Sequence, residues 1–127
     1  MIKTKLIANN NEIDEIKAYK KKGKKIVLCH GAFDLVHPGH LSHFEEAKSY
    51  GDILVVTLTA DDYIKKNIHS PFFNQEMRRD FLKNLKIIDY VFIVNDKTAS
   101  PVIEKIKPNY YCKGVEYKRK DAIGNLK

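Results

Sequence analysis

The chain has 127 residues, 43% of them hydrophobic and 31% charged, with 23 Lys and Arg against 16 Asp and Glu for a formal charge of +7. That length supports a single domain with one core, the composition excludes a disordered chain, and no apolar run approaches the roughly 20 residues of a membrane span. The N-terminal Met1-Ile2-Lys3-Thr4-Lys5 lacks the apolar core and cleavage site of a secretory signal, so a cytoplasmic address and no membrane partner are expected.

In chain order, Asn11 is placed to cap a helix over Glu12–Lys22, with Ile13, Ile16 and Tyr19 on one face and Gly23 as its stop. Lys25–His30 holds the short apolar run Ile26-Val27-Leu28-Cys29, a buried strand. A loop from Gly31 to Pro38 leads to a helix over about Gly39–Tyr50, whose stripe is Leu41, Phe44 and Ala47. Asp52–Thr59 is a second buried strand, and Asp61–Lys66 a short helix. Asn67–Phe73 reads as a loop. Asn74 then caps a helix with Met77, Phe81, Leu82 and Leu85 turned inward. Tyr90–Val94 is a third strand, Ser100-Pro101 opens a helix to about Lys107, and Asn109–Lys113 is a fourth strand before Gly114 and a polar tail. Strands alternating with helices predict a doubly wound, Rossmann-like α/β domain: a parallel sheet with helices on both faces, its ligand at the carboxyl ends of the strands. The whole chain, 1–127, reads as one such domain.

That rule points to the loop after the first buried strand, Gly31–His40. Gly31 lets the amides of Ala32 and Phe33 approach an anion, and Gly39 opens a helix whose first amides and dipole favour phosphate. His37 and His40, three apart across the helix start, are placed to donate to one phosphoryl group as its charge builds. The glycine spacing is neither Gly-x-Gly-x-x-Gly nor a Walker loop.

Gly31-Ala32-Phe33-Asp34-Leu35-Val36-His37-Pro38-Gly39-His40 resembles the G-x-F-D-x-x-H-x-G-H element of the cytidylyltransferase-like nucleotidyltransferases, which share the HxGH motif and a Rossmann-like fold. Thr59-Ala60-Asp61, Lys66 with Pro71, and Phe73-Asn74-Gln75-Glu76-Met77-Arg78 resemble further elements of the family. So does the stretch from Ile106-Lys107-Pro108 to Tyr111-Cys112-Lys113-Gly114-Val115-Glu116-Tyr117. Over about Lys25 to Lys118 the likeness is greatest to the nucleotidyltransferase domain of ADP-heptose synthase and related surface-polysaccharide proteins.

The resemblance implies transfer of a nucleoside monophosphate from a nucleoside triphosphate, accompanied by Mg2+, to a sugar phosphate, with release of pyrophosphate and no organic cofactor. By position, His37 and His40 would stabilise the transferring phosphoryl group, and Lys66 and Arg78 would contact phosphates. Asp34 would order the loop beside the nucleotide, and Gly114 and Glu116 would lie near base or ribose. The same likeness suggests a homodimer and a parent protein fused to a sugar kinase, with a lean to ATP over CTP. A glycerol- or polyol-phosphate cytidylyltransferase is the nearest alternative. The chain departs from the family in two places. Its Lys66-Asn67-Ile68-His69-Ser70-Pro71 lacks a glycine and an arginine of K-G-x-x-R-P, and the S-T-type motif expected after the K-G-x-D-Y element is absent. A C-terminal part of the family domain is therefore expected to be missing, which leaves open a nucleotide-binding module without activity.

Other signals are weaker. Cys29 and Cys112 lack CxxC spacing and read as small core residues of strands, with neither a disulfide nor metal binding expected through them. Zinc at His37, His40 and His43 is set aside, because the loop offers no further carboxylate or thiolate than Asp34. His30, at a strand end, reads as a loop hydrogen-bonder. The run Lys20–Lys22 with Lys24-Lys25 reads as a solvated helix end, so no nucleic-acid partner is expected.

Overall fold

The computed structural model describes residues 6–64, 71–112 and 123–125. Four helices are α1 (Asn10–Lys21), α2 (Pro38–Lys48), α3 (Gln75–Lys83) and α4 (Ser100–Ile106). The strands are β1 (Leu6–Ile7), β2 (Ile26–Gly31), β3 (Ile53–Thr59), β4 (Tyr90–Val94), β5 (Tyr110–Cys112) and β6 (Ile123–Asn125). They form one sheet in the order β1-β4-β3-β2-β5-β6. The inner four strands are parallel, as the alternation of strands and helices requires. Both edges are antiparallel additions absent from the sequence reading: β1 against β4, and β6 against β5 within the stretch read as a polar tail.

Successive side chains of the inner strands go to opposite faces, so each strand feeds two cores. Val27, Cys29, Leu54 and Val56 pack with Phe44 and Ala47 of α2 and Leu82 of α3. Ile26, Leu28 and Val55 pack on the other face with Ile13 and Ile16 of α1 and Val102 and Ile106 of α4. This is why the strands read as unbroken apolar runs rather than alternating ones. Each fully buried side chain of this kind, such as Phe44, contributes about 2–3 kcal/mol.

The order of the parallel strands fixes where a ligand crevice can form. From β2 the chain winds outward through β3 to β4, then returns to lay β5 on the other side of β2. The reversal of strand order therefore falls between β2 and β5, and in an open α/β sheet the ligand crevice is expected at the carboxyl ends of the strands there.

Helix starts differ from expectation in an instructive way. Asn9, not Asn11, caps α1, its Oδ1 accepting from the amides of Asn11 and Glu12 at 2.9 and 3.3 Å. Asn74 caps α3 as expected, through Met77 N–H at 2.8 Å. In α3 the inward residues are Arg78 and Leu82, while Met77 and Phe81 are 56% and 51% exposed. The expected core positions Met77 and Phe81 are corrected: the helix is rolled by about one residue, so that a buried arginine takes the inner face.

Candidate nucleotide site at the start of helix α2

Gly31 ends β2 in register with Leu58 of β3, and the chain turns sharply at Phe33, whose φ is +50°. A left-handed conformation strains a non-glycine residue by roughly 1–3 kcal/mol and needs packing to hold it. Phe33 supplies that packing itself. Its ring is 5% exposed, lies 5.4 Å from the Phe44 ring and meets the His40 ring edge-on at 5.9 Å. A Cβ on Gly31 would sit 3.1 Å from the Phe33 ring, so Gly31 is small to admit the phenyl group. The expectation that it merely frees the backbone is sharpened accordingly. Ala32 is exposed, and its carbonyl accepts from Arg78.

The two histidines of the motif cap α2 reciprocally. His37 is the N-cap, and its Nδ1 accepts from Gly39 N–H at 3.0 Å. His40 Nδ1 accepts from His37 N–H, also at 3.0 Å. An imidazole nitrogen that accepts carries no proton, so the neutral ring must hold its proton on Nε2. Both rings are thus fixed as Nε2–H donors, with centroids 4.2 Å apart at the positive end of the helix dipole. Burial, reinforced by the nearby His37 and His43, lowers the pKa of His40 and keeps this donor neutral. Gly39 has no room for a side chain: its Cβ would lie 2.7 Å from His37 Cε1. Its glycine is required by the folded-over histidine ring.

Asp34 and Arg78 brace the loop. The Asp34 carboxylate accepts from the amides of Phe72 and Phe73 at 2.6 and 2.9 Å, which pins the segment before α3 to the β2 loop. Arg78 is 2% exposed. Its Nε donates to Phe73 O at 3.0 Å, and Nη1 to Ala32 O and Thr59 O at 2.9 and 2.7 Å. Nη2 pairs with Asp61 Oδ1 at 2.6 Å. One guanidinium thus joins the ends of β2 and β3, the turn at Asp61–Tyr63 and the approach to α3. Four of the five N–H donors of Arg78, expected from the resemblance to contact phosphate, thus go to the protein itself, which makes the residue a buried brace of the loop. Lys66, Gly114 and Glu116 lie outside the described residues.

His30, on β2, is also buried, with Nδ1 2.8 Å from Thr57 Oγ1 and Nε2 3.4 Å from Thr59 Oγ1. Burial pushes its pKa down to about 4 against a smaller upward pull from Asp96. Beside the motif, Leu35, Val36, Phe73, Met77 and Phe81 line an apolar cavity of about 340 Å3. This is where the displaced apolar face of α3 goes. Among the described residues, no helix is long and apolar enough to cross a membrane.

The sequence profile of the cytidylyltransferase-like family matches residues 28–125, from β2 through β6. The chain belongs to the cytidylyltransferase-like family. Among curated relatives, the bifunctional protein HldE of Aliarcobacter butzleri is 43% identical over 80% of this chain and 22% of its own length. HldE of Geobacter metallireducens is 40% identical over 86% of this chain and 23% of its own length. The chain spans about a quarter of the length of the curated relatives it matches. Among solved structures, a lipopolysaccharide core biosynthesis protein of Thermoplasma volcanium superposes with a TM-score of 0.68 at 28% identity, covering 76% of this chain and 79% of that one. The matched residues include the motif, which the structure sets at the end of β2 and the reciprocally capped start of α2, at the carboxyl end of a parallel strand where ligands of such sheets bind.

Proposed function

We propose that this cytidylyltransferase-like domain transfers a nucleoside monophosphate from a nucleoside triphosphate to a sugar phosphate. An oxygen of the acceptor phosphate attacks the α-phosphorus, the bond to the bridging oxygen breaks, and pyrophosphate leaves with that oxygen's electron pair. The observation that carries this reading is the reciprocal cap. It holds two imidazole rings as Nε2–H donors, with centroids 4.2 Å apart, at a helix N-terminus beside the strand-order reversal, which suits charge building on a transferring phosphoryl group. In-line phosphoryl transfer needs such alignment and charge stabilisation rather than a covalent protein intermediate.

Mg2+ would accompany the triphosphate as part of the substrate, where it would supply charge neutralisation for the pyrophosphate leaving group. The HldE relatives and the lipopolysaccharide-related structural neighbour support an acceptor of the heptose-phosphate kind, a role in surface-polysaccharide precursor synthesis and ATP as donor. Their bifunctional description and greater length support a parent protein that also carries a sugar kinase. The cytoplasmic address and the homodimer belong to the same proposal and rest on the family resemblance alone. The family's name favours CTP in a second reading, whose acceptor would be a glycerol or polyol phosphate.

A pyrophosphate-release assay with ATP, CTP, GTP and UTP against a panel of sugar and polyol phosphates tests both. Release with ATP and a heptose phosphate is expected, falling by about 10²–10³ in His37→Asn or His40→Asn, the usual loss for one charge-stabilising donor. Release only with CTP and a polyol phosphate would select the second reading. If no pairing released pyrophosphate while a triphosphate still raised the melting temperature, the domain would be a nucleotide-binding module.

A further inference from the structure

One cluster of chemically soft groups lies below the motif and takes no part in the proposed transfer. Cys29 of β2 and Cys112 of β5 are direct partners in the parallel register, and both are fully buried free thiols. Their side chains share the sheet face covered by α2. His43 stands on that helix one turn beyond His40, and its Nε2 lies 2.8 Å from Cys112 Sγ. The ligand atoms of Cys29, His43 and Cys112 all fall within 4.8 Å of one another.

We propose that Cys29, His43 and Cys112 form a three-ligand zinc site that ties α2 to β2 and β5. A zinc ion about 2.3 Å from sulfur and about 2.0 Å from imidazole nitrogen, in tetrahedral geometry, sets its ligand atoms roughly 3.5–3.8 Å apart. The pair at 2.8 Å need open by only about 0.7 Å, and the others already lie within the range a side-chain rotation covers. Two thiolates and an imidazole are a soft donor set that favours zinc over the hard cations. Binding displaces two protons, one from each thiol, and leaves a dication neutralised by two thiolates, so no net charge is buried. Three protein ligands leave the fourth position to water.

The site would do something the rest of the core does not. β2 and β5 flank the strand-order reversal, and α2 carries both motif histidines. A metal joining all three fixes the helix start relative to both walls of the crevice. This inference is independent of the acceptor and the base, and its readout does not involve turnover.

The test is titration of the reduced protein with Co2+ and with Zn2+, using a non-thiol reductant. One equivalent of Co2+ should bind per chain with thiolate-to-cobalt charge-transfer absorption and the intense visible bands of a tetrahedral ion. Zn2+ should displace it and raise the melting temperature. His43→Asn, at a half-buried position, should remain folded and weaken Co2+ binding at least tenfold. Cys112→Ser should reduce the sulfur absorption, and the paired variant His37→Asn with His40→Asn should keep it. A folded wild-type chain that shows no thiolate–cobalt absorption overturns the proposal, as does metal binding that survives in His43→Asn and vanishes in the His37, His40 variant.

Discussion

Arg78→Met separates a brace from a ligand. In the folded chain the guanidinium satisfies Phe73 O, Ala32 O, Thr59 O and Asp61 Oδ1, and its side chain is wholly inaccessible while that of Asp61 is 32% exposed. The four bonds cannot simply be summed, since burying the guanidinium carries its own desolvation cost. Removing one partner of a buried, hydrogen-bonded ion pair destabilises by about 3–5 kcal/mol, because the remaining groups lose their partners. Methionine fills much of the vacated volume, so the cavity contribution is small. At roughly 4 °C per kcal/mol for a domain of this size, the melting temperature should fall by roughly 12–20 °C. Urea denaturation followed by circular dichroism measures the free energy directly, and triphosphate affinity is measured below the transition. Arg78→Lys should fall in between, since an ammonium cannot reproduce the planar fork. If Arg78→Met melted within about 2 °C of the parent and lost triphosphate affinity instead, the brace would be refuted and the guanidinium would belong to the ligand.

Three further expectations follow from the same geometry. His30, held at a pKa of about 4 by burial, stays neutral in the fold while the unfolded chain takes up a proton below about 6.5. Stability is therefore full above that pH and falls between about 6.5 and 4 by on the order of 3 kcal/mol. His30→Gln should flatten that stretch of a urea-midpoint profile against pH, and an unchanged slope would discount the histidine. Gly39→Ala forces a Cβ to within 2.7 Å of His37 Cε1. It should cost at least tenfold in turnover with little change in melting temperature, and full turnover in the variant would dissociate ring position from catalysis. Asp34→Ala strips the acceptor from Phe72 and Phe73 N–H. Proteolytic cleavage around residues 71–73 should accelerate, and a cleavage rate equal to the parent's would show that other contacts hold the segment.

The inner sheet was legible because its strands are buried on both faces and so announce themselves as apolar runs bounded by glycine and polar residues. The edge strands were not: Leu6–Ile7 is too short for a periodicity, and Ile123–Asn125 pairs through its backbone with β5. Helix α3 misled for a physical reason. Met77, Phe81 and Leu85 have the spacing of a core stripe, but one buried arginine with four protein acceptors outweighs two apolar side chains that can line an open cavity. The motif histidines were legible as a pair, whereas their tautomers were not, since these depend on which amide each Nδ1 meets. Cys29, His43 and Cys112 have no telltale spacing at all. Only the parallel register of β2 with β5, and the turn of α2 over both, brings them together.

The reversal of strand order has a bearing on how the protein comes into being. β2 and its loop leave the ribosome long before β5, with β3, β4 and their helices in between. Those early strands can associate as they emerge, and the histidine-capped helix start needs only its own few residues. The crevice gains its second wall only when β5 slots in beside β2. A nascent chain arrested before Asn109 would carry the motif without the strand that completes the reversal beside it, so on the proposed function a nucleotide would stabilise only chains in which β5 has joined β2.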